Sequence, residues 1–325
     1  MRRLPSRPSG LIALLAASLL ATLTAPRGVP AQPPAAAATT AAKRQFTTRH
    51  VTSADGTRIA YLVAGTGRPL VMVHGSMTLA DEWLAVAERL AATRQVVVVE
   101  RRGRGRSGDA PQHSIAVEAQ DLAAVVADVA RSAPGTAVAK DASTGPTTGP
   151  VDLFGHSYGG AVVGRYAIDA GFPGAVVLYD PGAGLNGPIA ADGWAPVRAL
   201  LDAGQRDSAL TRAFETIMGA PPQVIAGIRQ NAPLWAQYRT LLPSWVREVQ
   251  SLDAFAPTAE ELARIRGRTT ILLGDRSGPM LTAIAGTWVS RQPGLTVLPL
   301  RGQGHTGHLE APAYMAERIR TALQP

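Results

Sequence analysis

Hydrophobic and polar positions along this chain change period several times, and each change marks an element. From residue 46 to 52 and again from 57 to 64 apolar and polar side chains alternate, with Ala54-Asp55-Gly56 between the runs. A period of two broken by turn residues predicts an antiparallel pair of strands. Residues 69–73 and 95–99 are instead apolar without interruption, the pattern of strands covered on both faces. Helical spacing occupies 79–93 and then 114–132, the latter with Ile115, Leu122, Val125, Val126 and Val129 on one face. Strand-type runs at 151–154, 175–179, 269–273 and 295–300 alternate with helical stretches after 161, over 279–291 and from about 311. That alternation predicts an α/β fold with a mostly parallel central sheet and helices on both faces.

Residues 183–266 break the rhythm. They are helical in character, interrupted at Pro196, Pro221, Pro222, Pro233, Pro243 and Pro257, and carry Trp194, Phe214, Trp235, Tyr238, Trp245 and Phe255. The stretch is expected to be an inserted helical cap, leaving 45–182 and 267–325 as the core. Residues 133–150, rich in Gly, Ala, Pro, Ser and Thr, read as a mobile surface insertion. No internal repeat is found.

The amino terminus reads as an export signal. Arg2, Arg3 and Arg7 precede an apolar run at 11–23, and Val29-Pro-Ala31 offers a small-residue cleavage pattern, so residues 1–31 are expected to be removed. The alternative is an uncleaved amino-terminal anchor, although the run is short for a bilayer. Arg2-Arg3 hints at twin-arginine export. Residues 32–44 then form a low-complexity, flexible lead-in. The expectation is a secreted or periplasmic protein with no stable membrane span after cleavage.

With 325 residues, 46% hydrophobic and 17% charged, the chain can bury a large α/β core. Its formal charge of +8 falls to +4 once the four arginines of the signal are gone, so the basic balance does not point to nucleic acid. The absence of cysteine excludes disulfides, thiol catalysis, lipid attachment at cysteine and thiolate metal sites. No H-E-x-x-H and no close cluster of His and carboxylates along the sequence suggests a metal, and no cofactor is expected.

Two glycine motifs compete for attention. Glu100-Arg-Arg-Gly103-Arg-Gly105-Arg-Ser-Gly108 contains a literal G-x-G-x-x-G, but Pro111 intervenes before the next helix and the following strand lacks a ribose-binding acid at its end. Its arginines read as a solvated loop. Gly155-His-Ser157-Tyr-Gly159-Gly160 is more telling. A strand ends there in G-x-S-x-G and helical residues follow, which thrusts a serine hydroxyl clear of the carboxyl edge of a sheet. Ser157 is a candidate nucleophile, and the bland alternative is a Gly/Ser turn.

Across about residue 45 to the end, the chain resembles the α/β-hydrolase fold family. The resemblance is carried by His74-Gly75 after the third strand, the Arg-Gly-Arg-Gly-Arg-Ser-Gly loop, the Gly155-His-Ser-Tyr-Gly-Gly turn and Gly302-Gln-Gly-His305 after the last strand. It implies a triad in the chain order serine, acid, histidine. His305 fills the last place. His308, His74 and His156 suit it less: His156 points away from its neighbour Ser157, and His74 belongs to the loop under the oxyanion site. Family members most often carry the acid as Gly-x-x-Asp after the penultimate strand, yet Gly274-Asp-Arg-Ser277 has serine there. A variation in the family places the acid after the strand that follows the nucleophile, where Asp180 stands 23 residues beyond Ser157. Asp180 is the first candidate and Asp275, two places from the usual spot, the second. The resemblance also assigns the oxyanion donors to the backbone N–H groups of Ser76 and Tyr158.

These residues imply a serine hydrolase that cleaves a small-molecule carboxylic ester or related acyl bond through an acyl-serine intermediate, its substrate carrying an apolar moiety. A nucleophilic serine excludes the family's dehalogenase and epoxide hydrolase chemistries, which place Asp there. Two alternatives stand beside it: other chemistry on the same triad (acyl transfer, carbon–carbon hydrolysis, perhydrolysis), and a ligand-binding member without turnover.

Overall fold

The computed structural model describes residues 44–132 and 151–324. The export signal, nearly all of the lead-in and the insertion at 133–150 lie outside the described residues. Eight strands form one sheet: β1 (Thr47–Thr52), β2 (Arg58–Ala64), β3 (Pro69–Val73), β4 (Gln95–Val99), β5 (Asp152–His156), β6 (Val176–Tyr179), β7 (Thr269–Gly274) and β8 (Thr296–Leu300), in the order β1-β2-β4-β3-β5-β6-β7-β8. β2 runs antiparallel to β1, as the alternating pattern of the two runs predicts, and antiparallel to β4 as well; all other pairings are parallel.

The uninterrupted apolar strands are explained by what covers them. Alternate residues of a strand face opposite sides, so Leu70 and Met72 of β3 join one core layer and Val71 and Val73 the other. The first layer is closed by α1 (Leu84–Leu90) and α10 (Pro312–Leu323), through Val86, Leu90, Met315 and Ile319. The second is closed by α2 (Ile115–Ser132), α3 (Tyr158–Asp169) and α9 (Pro279–Arg291), through Leu122, Val125, Ala161 and Trp288. Each buried valine or leucine contributes on the order of 2 kcal/mol, so the sheet is the rigid frame on which the loops at its carboxyl edge are held.

Two sequence expectations change. The helix over 79–93 opens instead as a 3-10 turn, Ala80–Trp83, before α1; its leading N–H groups are taken by carboxylates, Leu79 N by Glu82 at 3.1 Å and Ala80 N by Glu100 at 3.0 Å. Between β6 and β7 lie α4 (Trp194–Asp202), α5 (Arg206–Thr216), α6 (Pro222–Gln230), α7 (Ala232–Asp253) and α8 (Ala259–Leu262). Not every proline there interrupts a helix: Pro196 and Pro233 occupy first turns, where no N–H is needed, and α7 continues through Pro243. These helices share a core of their own, with Phe214, Trp235, Leu242 and Trp245 at its centre.

Candidate active site

β5 ends at His156 and α3 begins at Tyr158, so the chain reverses on the single residue Ser157, with φ 54° and ψ −122°. A Cβ at Gly155 would lie 2.5 Å from the Gly159 carbonyl oxygen, and one at Gly159 would lie 2.4 Å from those of Val73 and His74. Only glycine lets strand and helix pack so closely around the turn. Among the described residues, Met77, Ser157 and Asp180 are the non-glycine residues with positive φ. All three lie at this edge of the sheet, a concentration of backbone strain of the kind found at functional sites.

Asp180 follows β6 and is fully buried. Its Oδ1 accepts from Gly274 N at 3.0 Å, and its Oδ2 accepts from the Ser277 hydroxyl and lies 3.1 Å from Nδ1 of His305. A carboxylate oxygen accepts, so Nδ1 is the donor of this pair. His305 and Ser157 line the same cavity. Asp275, the second candidate, goes elsewhere: its Oδ2 accepts from Gly302 N at 2.9 Å and braces the turn after β8.

The loop that carries His305 is pinned from beneath by two aromatic residues. The Tyr179 hydroxyl donates to Gly304 O and accepts from Gly307 N at 3.0 Å. His156 Nε2 lies 3.0 Å from the carbonyl of His305, so that nitrogen carries the proton, and its ring stacks on Tyr179 with centroids 4.7 Å apart. Neither contact is legible in the sequence. Ser277 was visible as a departure from Gly-x-x-Asp, but nothing along the chain showed that it reaches Asp180.

Burial separates His74, His156 and His308 from His305. It pushes the imidazole of His74 down, that of His156 well down with help from His305 and His308, and that of His308 down to about 3. His308 lies flat against Trp83, ring centroids 4.3 Å apart. His74 Nδ1 lies 2.9 Å from Gly75 O and its Nε2 accepts from Arg101 N at 3.3 Å, which engages the ring in the loop after β3.

That loop presses on the serine turn, for a Cβ at Gly75 would stand 2.9 Å from Cβ of Ser157. Ser76 and Met77 line the cavity beside Ser157. The Tyr158 ring is buried beneath, with the Arg101 guanidinium carbon 4.2 Å from its centroid, so Tyr158 can offer the cavity its backbone N–H at the first position of α3.

The arginines of the Gly-rich loop correct the expectation of a solvated loop: Arg101, Arg102 and Arg104 are buried. Arg102 pairs with Asp121 and Asp55, and Arg101 and Arg104 with Glu248, Arg101 also with Glu118. The partners lie up to 147 residues away, which sequence reading could not supply. His113, Glu118 and Glu248 bring one ligand atom each within 4.8 Å of one another, the spacing of a metal site. A cation there would meet Arg101 and Arg104, whose guanidinium groups already hold both carboxylates.

The cavity has a volume of about 240 Å³. Ser157 and His305 stand on its wall, and Phe214, Ile217, Leu234, Trp245 and Leu252 from the inserted helices, with Met280 from α9, make most of the rest apolar. Among the described residues lining it, Glu82 is the one carboxylate and there is no Lys or Arg. Burial raises the Glu82 carboxyl above its usual range. No helix of the described residues is long and apolar enough to cross a membrane.

A sequence model described as "Alpha/beta hydrolase family" matches residues 70–318. A "Non-heme haloperoxidase" of Rhodococcus erythropolis is 34% identical over 121 residues, which spans 36% of this chain and only 37% of that protein. Among solved structures, an alpha/beta hydrolase from Sphaerobacter thermophilus is 26% identical with a TM-score of 0.69, covering 85% of this chain and all of the other. The esterase RhEst1 from Rhodococcus sp. shares the fold at 24% identity and a TM-score of 0.61, over 85% of this chain and 98% of its own. A thermophilic esterase from Thermogutta terrifontis does so at 20% identity and a TM-score of 0.62, over the same shares. The family model spans well over half of the chain, from β3 to the last helix, and the chain therefore belongs to the alpha/beta hydrolase family.

Proposed function

We propose that this protein is an exported serine hydrolase that cleaves a small carboxylic ester, or a related acyl bond, whose acyl or alcohol part is apolar. The observation that carries the reading is the 3.1 Å approach of Asp180 Oδ2 to Nδ1 of His305, which fixes the tautomer a general base needs. The apolar cavity and the two solved esterases of the same fold support the ester class. The export rests on the sequence pattern of residues 1–31.

The roles follow from the chemistry. Nε2 of His305 takes the proton of the Ser157 hydroxyl as its oxygen bonds to the substrate carbonyl carbon, and the carbonyl oxygen becomes an oxyanion facing the N–H groups of Ser76 and Tyr158. Asp180 stabilises the resulting imidazolium. Collapse breaks the carbon–oxygen bond to the alcohol, which leaves with the proton from His305. Water then repeats the sequence on the acyl-serine, giving the acid and free Ser157.

Substituting Ser157→Ala tests this. Turnover of p-nitrophenyl acetate and butyrate, and labelling by a fluorophosphonate, should both disappear in the variant; unchanged turnover would sink the proposal.

A second reading is perhydrolysis, in which hydrogen peroxide replaces water as acceptor of the acyl group. The 34% identity to a non-heme haloperoxidase favours it. Formation of peracid from an ester in the presence of peroxide, at a rate that exceeds acid release, would select it over plain hydrolysis.

A further inference from the structure

Arg101 follows β4 and reaches three elements at once from a buried position. Its Nε and Nη2 hold Glu118 of α2 at 2.7 and 2.8 Å, and Nη2 also holds Glu248 of α7 at 2.6 Å. Its remaining terminal nitrogen, Nη1, is spent on no carboxylate: it donates to Gly75 O at 3.0 Å. That carbonyl shares its peptide unit with the N–H of Ser76. The same guanidinium lies over the Tyr158 ring, so one side chain touches the peptide unit that holds one proposed oxyanion donor and the ring of the residue that carries the other.

We propose that Arg101 is a positioning residue for the oxyanion site, holding the Gly75–Ser76 peptide in plane and strengthening its N–H as a donor. The inference rests on the role given to Ser76 under the proposed function. Gly75 O also lies 2.9 Å from His74 Nδ1 and accepts from Thr78 Oγ1 at 3.1 Å. Donors on a peptide carbonyl draw electron density from the nitrogen, so the N–H on the other side becomes more positive and a better partner for an oxyanion. A donor held rigidly before the reaction needs no rearrangement when charge develops, which is where such sites gain most.

The charge of Arg101 does not itself supply the effect. Arg101 and Arg104 are matched by Glu118 and Glu248, so the cluster presents no net charge to Ser157. Burial alone would raise the Glu248 carboxyl, but Arg101 and Arg104 outweigh it and hold the group ionised. What reaches the site is orientation, and because Glu248 sits on α7, the inserted helices share in setting it.

Comparing an aryl ester with its thionoester, in which C=S replaces C=O, tests the inference in the full-length protein. Sulfur accepts hydrogen bonds poorly, so the ester-to-thionoester ratio of kcat/KM reports on the oxyanion donors and not on general folding. Arg101→Gln should lower kcat for the ester about ten-fold, a fraction of what losing a direct donor costs, with KM little changed and the ratio falling by the same factor. Arg101→Lys, whose ammonium can still reach the carbonyl, should restore part of both. If the Arg101 variants do not fold, Glu248→Gln keeps the guanidinium but loosens its hold, and the ratio should fall about three-fold. A folded variant that loses activity equally on both substrates overturns the inference. Ester turnover that survives Ser157→Ala overturns the proposed function and this inference together, whereas Ser157-dependent turnover with an unchanged ratio overturns this inference alone.

Discussion

The Ser277 hydroxyl donates to Oδ2 of Asp180, the same oxygen that lies 3.1 Å from Nδ1 of His305. Ser277 stands in Gly274-Asp-Arg-Ser277, where the family resemblance leads one to expect an acid, and it braces the carboxylate that reaches the histidine from the end of the neighbouring strand. Losing one hydrogen bond to a buried charge costs about 1.5–3 kcal/mol. Ser277→Ala is therefore expected to lower kcat for an aryl ester roughly ten-fold, and a rate unchanged within error would deny the brace.

The two aspartates separate sharply. Asp180→Asn should reduce turnover by about 10⁴, the usual cost of removing a triad orienter. Asp275→Asn should cost about two-fold or less, because Asp275 contributes a single hydrogen bond to Gly302 N in an exposed turn. Steady-state kinetics on both variants decide the assignment, and the reverse ranking would transfer the role to Asp275.

Because Ser277 already touches Asp180, a carboxylate placed at 277 approaches the same imidazole. The double variant Asp180→Asn/Ser277→Asp is expected to regain about 10² of the lost 10⁴, with Ser277→Asp alone impaired by two like charges at one site. No recovery would mean that the histidine can be served only from the end of β6.

The cavity wall predicts selectivity. Among the described residues lining the cavity, Glu82, held by Leu79 N and by Gln237 Nε2 at 2.9 Å, is the one acidic side chain, set among apolar ones. Esters with a free carboxylate on the acyl chain should react far more slowly than neutral esters of equal length. Glu82→Gln, which preserves both acceptor contacts, should narrow that gap about ten-fold in kcat/KM at pH 8. An unaltered gap would place the discrimination elsewhere.

The parallel sheet was legible because its strands are continuous apolar runs and its helices carry one-sided faces; those are local patterns, and β3, β5, α2 and α9 follow them. Ser157 was legible for the same reason, since the turn dictates its own residues. Asp180, His305, Ser277, Tyr179 and His156 meet only because the sheet order sets β5, β6, β7 and β8 side by side. The buried arginines show the limit most clearly: Arg101 and Glu248 are 147 residues apart, and without that pairing the arginines could only be read as a solvated loop.

Acid should weaken the fold through its buried imidazoles. His308 is packed against Trp83 and His156 and is held neutral, its pKa near 3 against 6.5 for the free group. Between those values the unfolded chain binds a proton that the folded one does not, so stability falls as pH drops below about 6.5. His74 and His156, shifted the same way, add to the slope. Each contributes up to about 1.4 kcal/mol per pH unit. His308→Phe, which keeps a ring on Trp83, should flatten the dependence of unfolding free energy on pH between about 6.5 and 5 by the equivalent of one proton; an identical slope would show that His308 is free to charge in the fold.

The central claim is that the hydroxyl of residue 157 becomes acylated with His305 as its base. The direct measurement is rapid mixing with a p-nitrophenyl ester, acid quench, and mass spectrometry of the intact protein and its peptides. An acyl adduct on the peptide that contains Ser157, formed in the wild type, strongly slowed in His305→Ala and absent in Ser157→Ala, is the predicted result; ester turnover with no adduct on that peptide, and equal turnover in Ser157→Ala, would contradict it.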